Sequence, residues 1–320
     1  MKPSSIFTTI GALVVFYIIV PYTIGGNLYI MSLVVASLTI GGVALAWALL
    51  GNLGGMVSFG HAAFFGVGSY ISALLTLKLG WPIFPSMLIA GLGTLVASVV
   101  MLPALRLRGP YFALAILAYA HIFRILATEL ESITEGSSGL TSIPQLPVFM
   151  GLDFGSKIGS YYIILTIVLI FAVIYSLIRN SYYGLALKAM HDSEDATRVV
   201  GVNSTMLKTL MLAVSAFMTG VVGAFNAHYI NFLEPDYAFS GSWTVLPIIA
   251  AIFGGYRTIV GPLVGALVVY LVDQLIFKSI IPIGHEIMLG ALLAAMIILS
   301  PRGLVPLVTA KPKGKPDAAA

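Results

Sequence analysis

Apolar segments of helix length follow one another along almost the whole of this chain. A helix needs about 20 apolar residues to cross the core of a bilayer. Of the 320 residues, 59% are hydrophobic and only 9% are charged. The pattern predicts an all-α polytopic membrane protein with about ten transmembrane helices, at 5–22, 27–50, 61–79, 85–104, 110–130, 161–178, 207–230, 242–256, 259–277 and 284–300.

Basic residues collect on one side of these spans if Lys2 faces the cytoplasm and the spans alternate. Cytoplasmic loops of membrane proteins carry an excess of lysine and arginine. The set on that side is Arg106, Arg108, Arg179, Lys188, Arg198, Lys208, Arg257, Arg302, Lys311, Lys313 and Lys315. We therefore expect both termini in the cytoplasm. Residues 1–305 are predicted to form one transmembrane domain, and 306–320 a disordered basic tail near anionic lipid.

Two connections between the spans are long, and they fall on opposite sides of the membrane. The outer one, 131–160, is rich in Gly, Ser and Pro, and we predict that it forms part of an outward-facing mouth. The inner one, 179–206, is predicted to contain a short amphipathic helix. Asp192 would cap a helix that begins at Ser193, and Gly201 would end it in a left-handed conformation. The alternative is a solvated connector.

The sequence contains no pattern typical of a catalytic or metal site. A GxxxxGK(S/T) phosphate-binding loop is absent, so the chain is not expected to hydrolyse nucleotides itself. There is no cysteine, and the histidines lack the spacing of a metal-binding helix. They are His61, His121, His191, His228 and His285. We predict no catalytic residue, no metal and no cofactor.

Small residues crowd the stretch around the first histidine, where we predict a glycine-rich break near 51–60. Glycine lets helices approach closely, and it lets them break where other protein covers the backbone. His61 is expected to make a hydrogen bond across this break near the cytoplasmic side. Ser58 and His61 are candidate residues of a substrate path, and the alternative is close packing without substrate contact.

The fifth predicted span carries a polar stripe. His121, Arg124, Thr128 and Glu131 are spaced three, four and three residues apart, which puts them on one helical face. The stripe either lines a polar path or holds a structural ion pair, such as Arg124 with Glu129 or Asp273. Asp273, near the outer end of the ninth span, has the same two interpretations.

Blocks of sequence in a fixed order resemble the permeases of branched-chain amino acid ABC transporters, LivM subgroup. Residues 51–75 read GNLGGMVSFGHAAFFGVGSYISALL, similar to the subgroup's GxxSLGHAAFFGIGAY. Residues 105–124 read LRLRGPYFALAILAYAHIFR, similar to LRLRGxYxAIxTLxxxEIxR. The loop and helix at 181–229, FGGYRTIVGPLVGA at 253–266 and SPRGL at 300–304 resemble the remaining blocks.

The resemblance implies a bacterial inner membrane and a set of partners. They are a second permease of the LivH type, two cytoplasmic ATPase subunits and a periplasmic binding protein. It also implies that the inner helix couples the permease to an ATPase, because DATRVVG at 195–201 is similar to the pattern EAA-xxx-G of such loops. The candidate coupling residues are Asp192, Glu194, Asp195, Ala196, Arg198 and Gly201.

The resemblance predicts import of branched-chain or related amino acids. One departure bears on the solute, since His121 stands where the subgroup commonly has a carboxylate. The same machine carrying urea or a short amide is therefore an alternative. A second alternative is an ion-coupled secondary carrier, against which the absence of a cluster of intramembrane carboxylates argues.

Overall fold

The protein is a bundle of long apolar helices joined mostly by short connections. The computed structural model describes residues 15–107, 109–149, 151–300 and 303–309. The main helices are α1 Val15–Ile24, α2 Leu28–Gly54, α3 His61–Leu79, α4 Ile83–Arg106, α5 Pro110–Glu129, α6 Lys157–Arg179, α7 Tyr182–Asp192, α8 Glu194–Val199, α9 Ser204–Ile230, α10 Ser242–Gly254, α11 Gly261–Ile280, α12 His285–Leu299 and α13 Leu304–Thr309. Between them lie the short helices Glu131–Thr134, Gly136–Ser138 and Pro235–Ala238, and an antiparallel hairpin of β1 Val148–Phe149 and β2 Leu152–Asp153.

Nine helical segments within the described ranges are long and apolar enough to cross a membrane, so the fold is the all-α polytopic one that the sequence predicts. Two predicted spans differ in part from the structure. The predicted span 242–256 begins where α10 begins, at Ser242, but α10 ends at Gly254, and the membrane-length segment Pro235–Gly254 also includes the short helix before it. The predicted span 5–22 lies largely outside the described residues, and its described part belongs to the short helix α1.

Several predicted features fall outside the described residues. These are the placement of Lys2, Arg108, Arg302, Lys311, Lys313 and Lys315 and most of the predicted tail 306–320. The first residues of that tail continue the helix α13. The location of the two termini therefore stays a prediction.

Two helices form the centre of the bundle. The side chain of Asn27 caps α2 by accepting hydrogen bonds from the amides of Tyr29 and Ile30 at 3.1 and 3.2 Å. Asn203 caps α9 in the same way, accepting from the Met206 amide at 3.0 Å. Within their most apolar windows, 89% of α2 and 78% of α9 are buried, compared with 28% of α5 and 22% of α11. Helices α5 and α11 therefore lie on the outside of the chain.

Glycine allows the close crossing of α3 and α9. A Cβ atom on Gly68 would overlap the backbone of Gly220, and a Cβ on Gly223 would overlap the carbonyl of Phe65. Small residues at such crossings let two helix backbones touch, which is a main source of helix association in lipid. This contact fixes α3 against the central helix α9.

The helices alternate in direction, and this gives the bundle two distinct ends. At the connector end α2 and α6 finish, α5 and α9 begin, and α7 and α8 pack against the bundle. At the hairpin end α3 and α5 finish and α6 begins, and this end carries the connection 131–160. That connection is folded onto the helices. Leu140 pairs with Leu233 as a β-bridge, and the Pro144 carbonyl lies 2.8 Å from Nδ1 of His228.

Three of the main helices contain irregular turns. The first turn of α1, Val15–Ile19, is a π turn. The last turns of α4, Val99–Arg106, are 3₁₀ and contain Pro103, which cannot donate a backbone hydrogen bond. In α11 the residues Asp273–Phe277 form a π turn. The π turn coincides with the buried carboxylate of Asp273.

Candidate functional site

The predicted break lies between α2 and α3, but it is shorter than the sequence suggests. Helix α2 continues to Gly54, so only residues 55–60 are non-helical, and the prediction of a break starting at 51 is wrong. Gly55 ends the helix in a left-handed conformation with φ of 65°. Packing on α9 and α10 keeps α2 helical through its glycines.

His61 begins α3 in a buried position, with 1% of its surface exposed. Its Nε2 lies 2.9 Å from Oγ of Ser215, and that hydroxyl donates to the carbonyl of Ala46 at 2.9 Å. Because the serine proton goes to Ala46, the ring must donate, so Nε2 carries the hydrogen. Ser215 is eleven residues into α9, about 16 Å along its axis at 1.5 Å per residue. The histidine thus ties the break to α2 and α9 about halfway along the bundle.

Side chains from α2 and α10 hydrogen-bond the non-helical backbone of the break. The indole Nε1 of Trp47 donates to the carbonyl of Ser58 at 2.8 Å. The hydroxyl of Thr244 donates to the carbonyl of Phe59 at 3.2 Å and accepts from the amide of Ala62 at 3.1 Å. Non-helical backbone at membrane depth is tolerated only where protein or water bonds it. Trp47 and Thr244 supply those bonds, and nothing in their sequence surroundings predicts the pairing.

Ser58 and His61 are buried inside this chain. The hydroxyl of Ser58 accepts a hydrogen bond from the amide of Gly60 at 3.2 Å, and none of its surface is exposed. The two residues therefore shape the break from within. Beside it lies a cavity of about 730 Å³ lined by Gly55, Val57 and Phe59, by the first turns of α5, and by Glu194 and Lys208.

Three residues of the predicted polar stripe, His121, Arg124 and Thr128, lie on the exposed outer face of α5, whereas Glu131 lies beyond the end of α5 and begins the short helix Glu131–Thr134. His121 and Glu131 are exposed, and Arg124 and Thr128 are partly exposed. The hydroxyl of Thr128 donates to the carbonyl of Arg124 at 3.1 Å, so it is bonded within the helix. A charged residue at the centre of a membrane helix costs about 2.5–3.5 kcal/mol on insertion scales, so the stripe needs water or another chain beside it.

Arg124 forms an ion pair, but with a different partner from those predicted. Its Nη1 lies 2.7 Å from Oδ1 of Asp236, and the two side chains are 41% and 78% exposed. The predicted pairs with Glu129 and Asp273 are wrong because the helix Pro235–Ala238 packs against α5 and brings Asp236 to the arginine. At this exposure the pair contributes about 0–1 kcal/mol in water.

Asp273 lies away from the stripe, on α11. Its side chain is 3% exposed, its Oδ2 accepts from the amide of Gln274 at 3.1 Å, and its Oδ1 lies 3.7 Å from Nε2 of His285. The candidate path residues thus occupy three separate places: the break, the outer face of α5, and the contact of α11 with α12.

The inner connection contains two helices where the sequence predicts one. Helix α7 runs through Asp192, so the predicted capping by Asp192 is wrong. Ser193 caps α8 instead, with its hydroxyl accepting from the amide of Ala196 at 3.3 Å. Helix α8 ends at Val199, and Gly201 follows with φ of 89°, the left-handed conformation that the sequence predicts.

Glu194 fastens α8 to the central helix α9. Its carboxylate accepts from Nζ of Lys208 at 2.8 and 2.9 Å and from Nη2 of Arg198 at 2.8 Å. Nε of Arg198 in turn donates to the hydroxyl of Ser204 at 2.7 Å. We call Glu194, Arg198, Ser204 and Lys208 the α8 clamp.

Charge pairing dominates the ionisation of Glu194. Partial burial acts to raise the pKa of its carboxyl, but the hydrogen-bonded ammonium of Lys208 and the nearby guanidinium of Arg198 outweigh it. The pKa of Glu194 therefore lies below its ordinary value. The carboxylate stays charged, and the clamp stays closed, at neutral pH.

Much of the surface at and around α8 is exposed. Asp192 at the end of α7, Asp195 and Ala196 on α8, and the clamp residue Arg198 are exposed. Two apolar residues that the sequence does not single out are exposed as well, Val199 at 88% and Val200, just after α8, at 77%. The sequence does carry a signal for this surface: two adjacent valines at the end of a charged surface helix indicate a contact with another protein, because exposed apolar side chains are unfavourable in water. A groove of about 380 Å³ between α7 and α8 reaches Val200.

The chain matches the sequence model of one family and several known proteins. The family, branched-chain amino acid transport system / permease component, matches residues 29–300. The high-affinity branched-chain amino acid transport system permease protein LivM of Escherichia coli is 28% identical over 84% of this chain and 68% of its own length. LivM of Salmonella typhimurium is 27% identical over 80% of this chain and 65% of its own length.

The high-affinity branched-chain amino acid transport system permease protein LivH of Escherichia coli is 22% identical over 82% of this chain and 90% of its own length. This chain thus spans about two thirds of the LivM proteins and is similar to both permease types. No solved structure matches the chain.

Replacing Glu194 with glutamine should loosen α8 without unfolding the bundle. Hydrogen bonds to charged groups contribute about 1.5–3 kcal/mol each, and the substitution removes the charge that holds Lys208. Hydrogen exchange of residues 194–204 should become faster at pH 7, with Asp192→Asn as the control. A carboxyl with a lowered pKa stabilises the fold above its ordinary pKa, about 4.3, and loses that effect as the pH falls through the lowered value. The difference from the parent should therefore vanish in acid; equal exchange at pH 7 would contradict the clamp.

Proposed function

The chain belongs to the family of branched-chain amino acid transport system permease components, and from this we propose that it is the membrane-spanning subunit of an ATP-driven importer of branched-chain or related amino acids. ATP hydrolysis belongs to two separate cytoplasmic subunits, and a periplasmic binding protein delivers the solute. A second permease of the LivH type completes the membrane part. The similarity of this chain to relatives named LivM and LivH supports such a pair.

The distribution of charge supports an orientation in a bacterial inner membrane. Arg179, Lys188 and Lys208 lie at the connector end, and Glu129 and Asp153 lie at the hairpin end. Because basic residues favour the cytoplasmic side, the connector end faces the cytoplasm and the hairpin end faces outward. With this orientation α7 and α8 can reach the ATPase subunits, and the connection 131–160 can receive the binding protein.

The polar stripe of α5 is proposed to line the solute path where the second permease covers it. Only 28% of the apolar window of α5 is buried within this chain, and His121 and Arg124 both reach its surface. Such groups are not stable against lipid tails. A neighbouring permease with a water-filled gap between the two chains would satisfy them. Ser58, His61 and Thr128 act in this proposal by shaping the helices beside the path.

The exposed helix α8 and its clamp to α9 are the observation that carries the proposal within the structure. A surface helix transmits force only if it is joined firmly to the membrane helices, and Glu194 makes that joint through Lys208. The exposed face of α8, with Asp195, Val199 and Val200, is proposed to dock in a groove of an ATPase.

Transport should require the complete assembly. Liposomes with this chain, a LivH-type permease, the two ATPases and a binding protein should take up radiolabelled leucine when ATP is present. This chain alone should take up none, with or without an ion gradient. Gradient-driven uptake by the chain alone would show a secondary carrier, and uptake of urea in place of leucine would establish the other solute class.

Coupling should fail when the docking face of α8 is altered. Val199→Asp places a charge in the proposed apolar contact, and recovery of the ATPases in a pull-down should fall roughly tenfold, which is about 1.4 kcal/mol. Gly201→Val should lower uptake further, since a β-branched residue is strained at φ of 89°. The matched control, for the pull-down alone, is Val148→Asp, an exposed valine at the opposite end that should leave recovery of the ATPases unchanged. Variants of α8 that assemble and transport like the parent would make it a simple connector.

Variants of the ion pair between Arg124 and Asp236 distinguish a role in the solute path from a purely structural role. Arg124→Leu should reduce uptake roughly tenfold or more while the amount of folded protein in the membrane stays near the parent level, because an exposed pair contributes little to stability. The charge reversal Arg124→Asp with Asp236→Arg restores the pair but moves the positive charge. Full uptake by the reversed protein would assign the pair to structure alone.

A further inference from the structure

A second cavity, of about 530 Å³, lies between α10, α11 and α12, from the middle of the bundle toward the hairpin end. Its size is within the range of small-molecule sites, about 300–1,000 Å³. The start of α10 lines one side, the π turn of α11 the second, and the first turns of α12 the third. Ser242 and Val245, which line it, are exposed, so the cavity reaches the surface of the chain.

Opposite charges share one wall of this cavity. The carboxylate of Asp273 accepts from the amide nitrogen of Gln274 at 3.1 Å, and the amide oxygen accepts from Nζ of Lys278 at 3.2 Å. All three side chains line the cavity. The amide thus links a buried carboxylate and an ammonium that are one helical turn and a half apart along α11. The π turn, a rare form frequent at functional sites, begins at the carboxylate.

The remaining lining divides into a polar and an apolar part. His285 stands beside the charges, with Nε2 3.7 Å from Asp273, and its Nδ1 is buried with no hydrogen-bond partner among the described residues. The apolar part of the lining is aliphatic and consists of Val245, Leu246 and Ile249 on α10 and Leu289 on α12. A ligand that fits both parts carries both charges at one end and a short hydrocarbon at the other.

We propose that this cavity binds a small aliphatic α-amino acid as its zwitterion. The ammonium group of the ligand meets Asp273, its carboxylate meets Lys278 and His285, and its side chain packs against Ile249 and Leu289. This inference rests on the proposed function, since it assigns a binding site for the same class of solute. The site belongs to one chain and is separate from the stripe of α5. It lies between the middle of the bundle and the end proposed to face outward.

Equilibrium binding of radiolabelled L-leucine to the purified transporter complex, without the binding protein, tests this site. Leucine should bind saturably. Isoamylamine, which lacks the carboxylate, and 4-methylpentanoate, which lacks the ammonium, should compete at least roughly tenfold more weakly. Asp273→Asn should weaken leucine binding by a similar factor, and the control Asp153→Asn, an exposed carboxylate at the hairpin end, should not change it.

A second variant keeps the test independent of folding. Val245→Phe fills the cavity from its exposed edge and leaves every charge in place, so the complex should assemble normally and lose leucine binding. Parental binding in Val245→Phe or Asp273→Asn would overturn the site, as would equal competition by the two analogues.

Uptake by the parent complex separates failure of the site from failure of the proposed function. A parent complex that transports leucine while the cavity variants bind it normally leaves the importer intact and overturns only the site. A parent complex that transports no amino acid overturns the proposed function, and loss of leucine binding in both cavity variants would then still support the site.

Discussion

The structure depends on hydrogen-bonding a stretch of non-helical backbone inside an apolar bundle. Every peptide group that lies at membrane depth without a partner costs several kcal/mol, so a break such as residues 55–60 exists only if side chains bond it. Trp47, Thr244 and the pair of His61 with Ser215 supply those bonds. They come from four helices, which fixes the relative positions of α2, α3, α9 and α10 around the break.

Helix α9 connects this break to the cytoplasm-facing surface proposed for α8. It carries Lys208 in the clamp, Ser215 under His61 and Gly220 at the crossing with α3. Because these contacts lie along one continuous helix, a displacement at α8 reaches the break without passing through a loop. The short helix alone could not do this, since its own contacts with the bundle are few.

Apolar length predicts most of this fold because the bilayer sets the length of a span. Spacing places His121, Arg124 and Thr128 on one face of α5, but Glu131, the fourth residue of the predicted stripe, falls in the next short helix. Pairings over long distances are not predictable in this way: Arg124 meets Asp236 across 112 residues, and only the packing of Pro235–Ala238 brings them together. The choice between Asp192 and Ser193 as a cap was also ambiguous, since both are good capping residues. Packing decided it by extending α7. The cavity at Asp273 depends on a π turn, for which the sequence has no known signature.

Two of the ion pairs among the described residues differ in how strongly the surrounding solution can act on them. Glu194 and Lys208 are 19% and 14% exposed, whereas Arg124 and Asp236 are 41% and 78% exposed. Dissolved ions screen charges that water surrounds and act much less on charges that protein covers. The joint proposed to transmit force therefore keeps its stiffness as ionic strength rises, while the pair on α5 opens more readily. In a cell under osmotic stress, which accumulates salt, the link between α8 and α9 would persist, and the electrostatics of the surface proposed to contact a second permease would change.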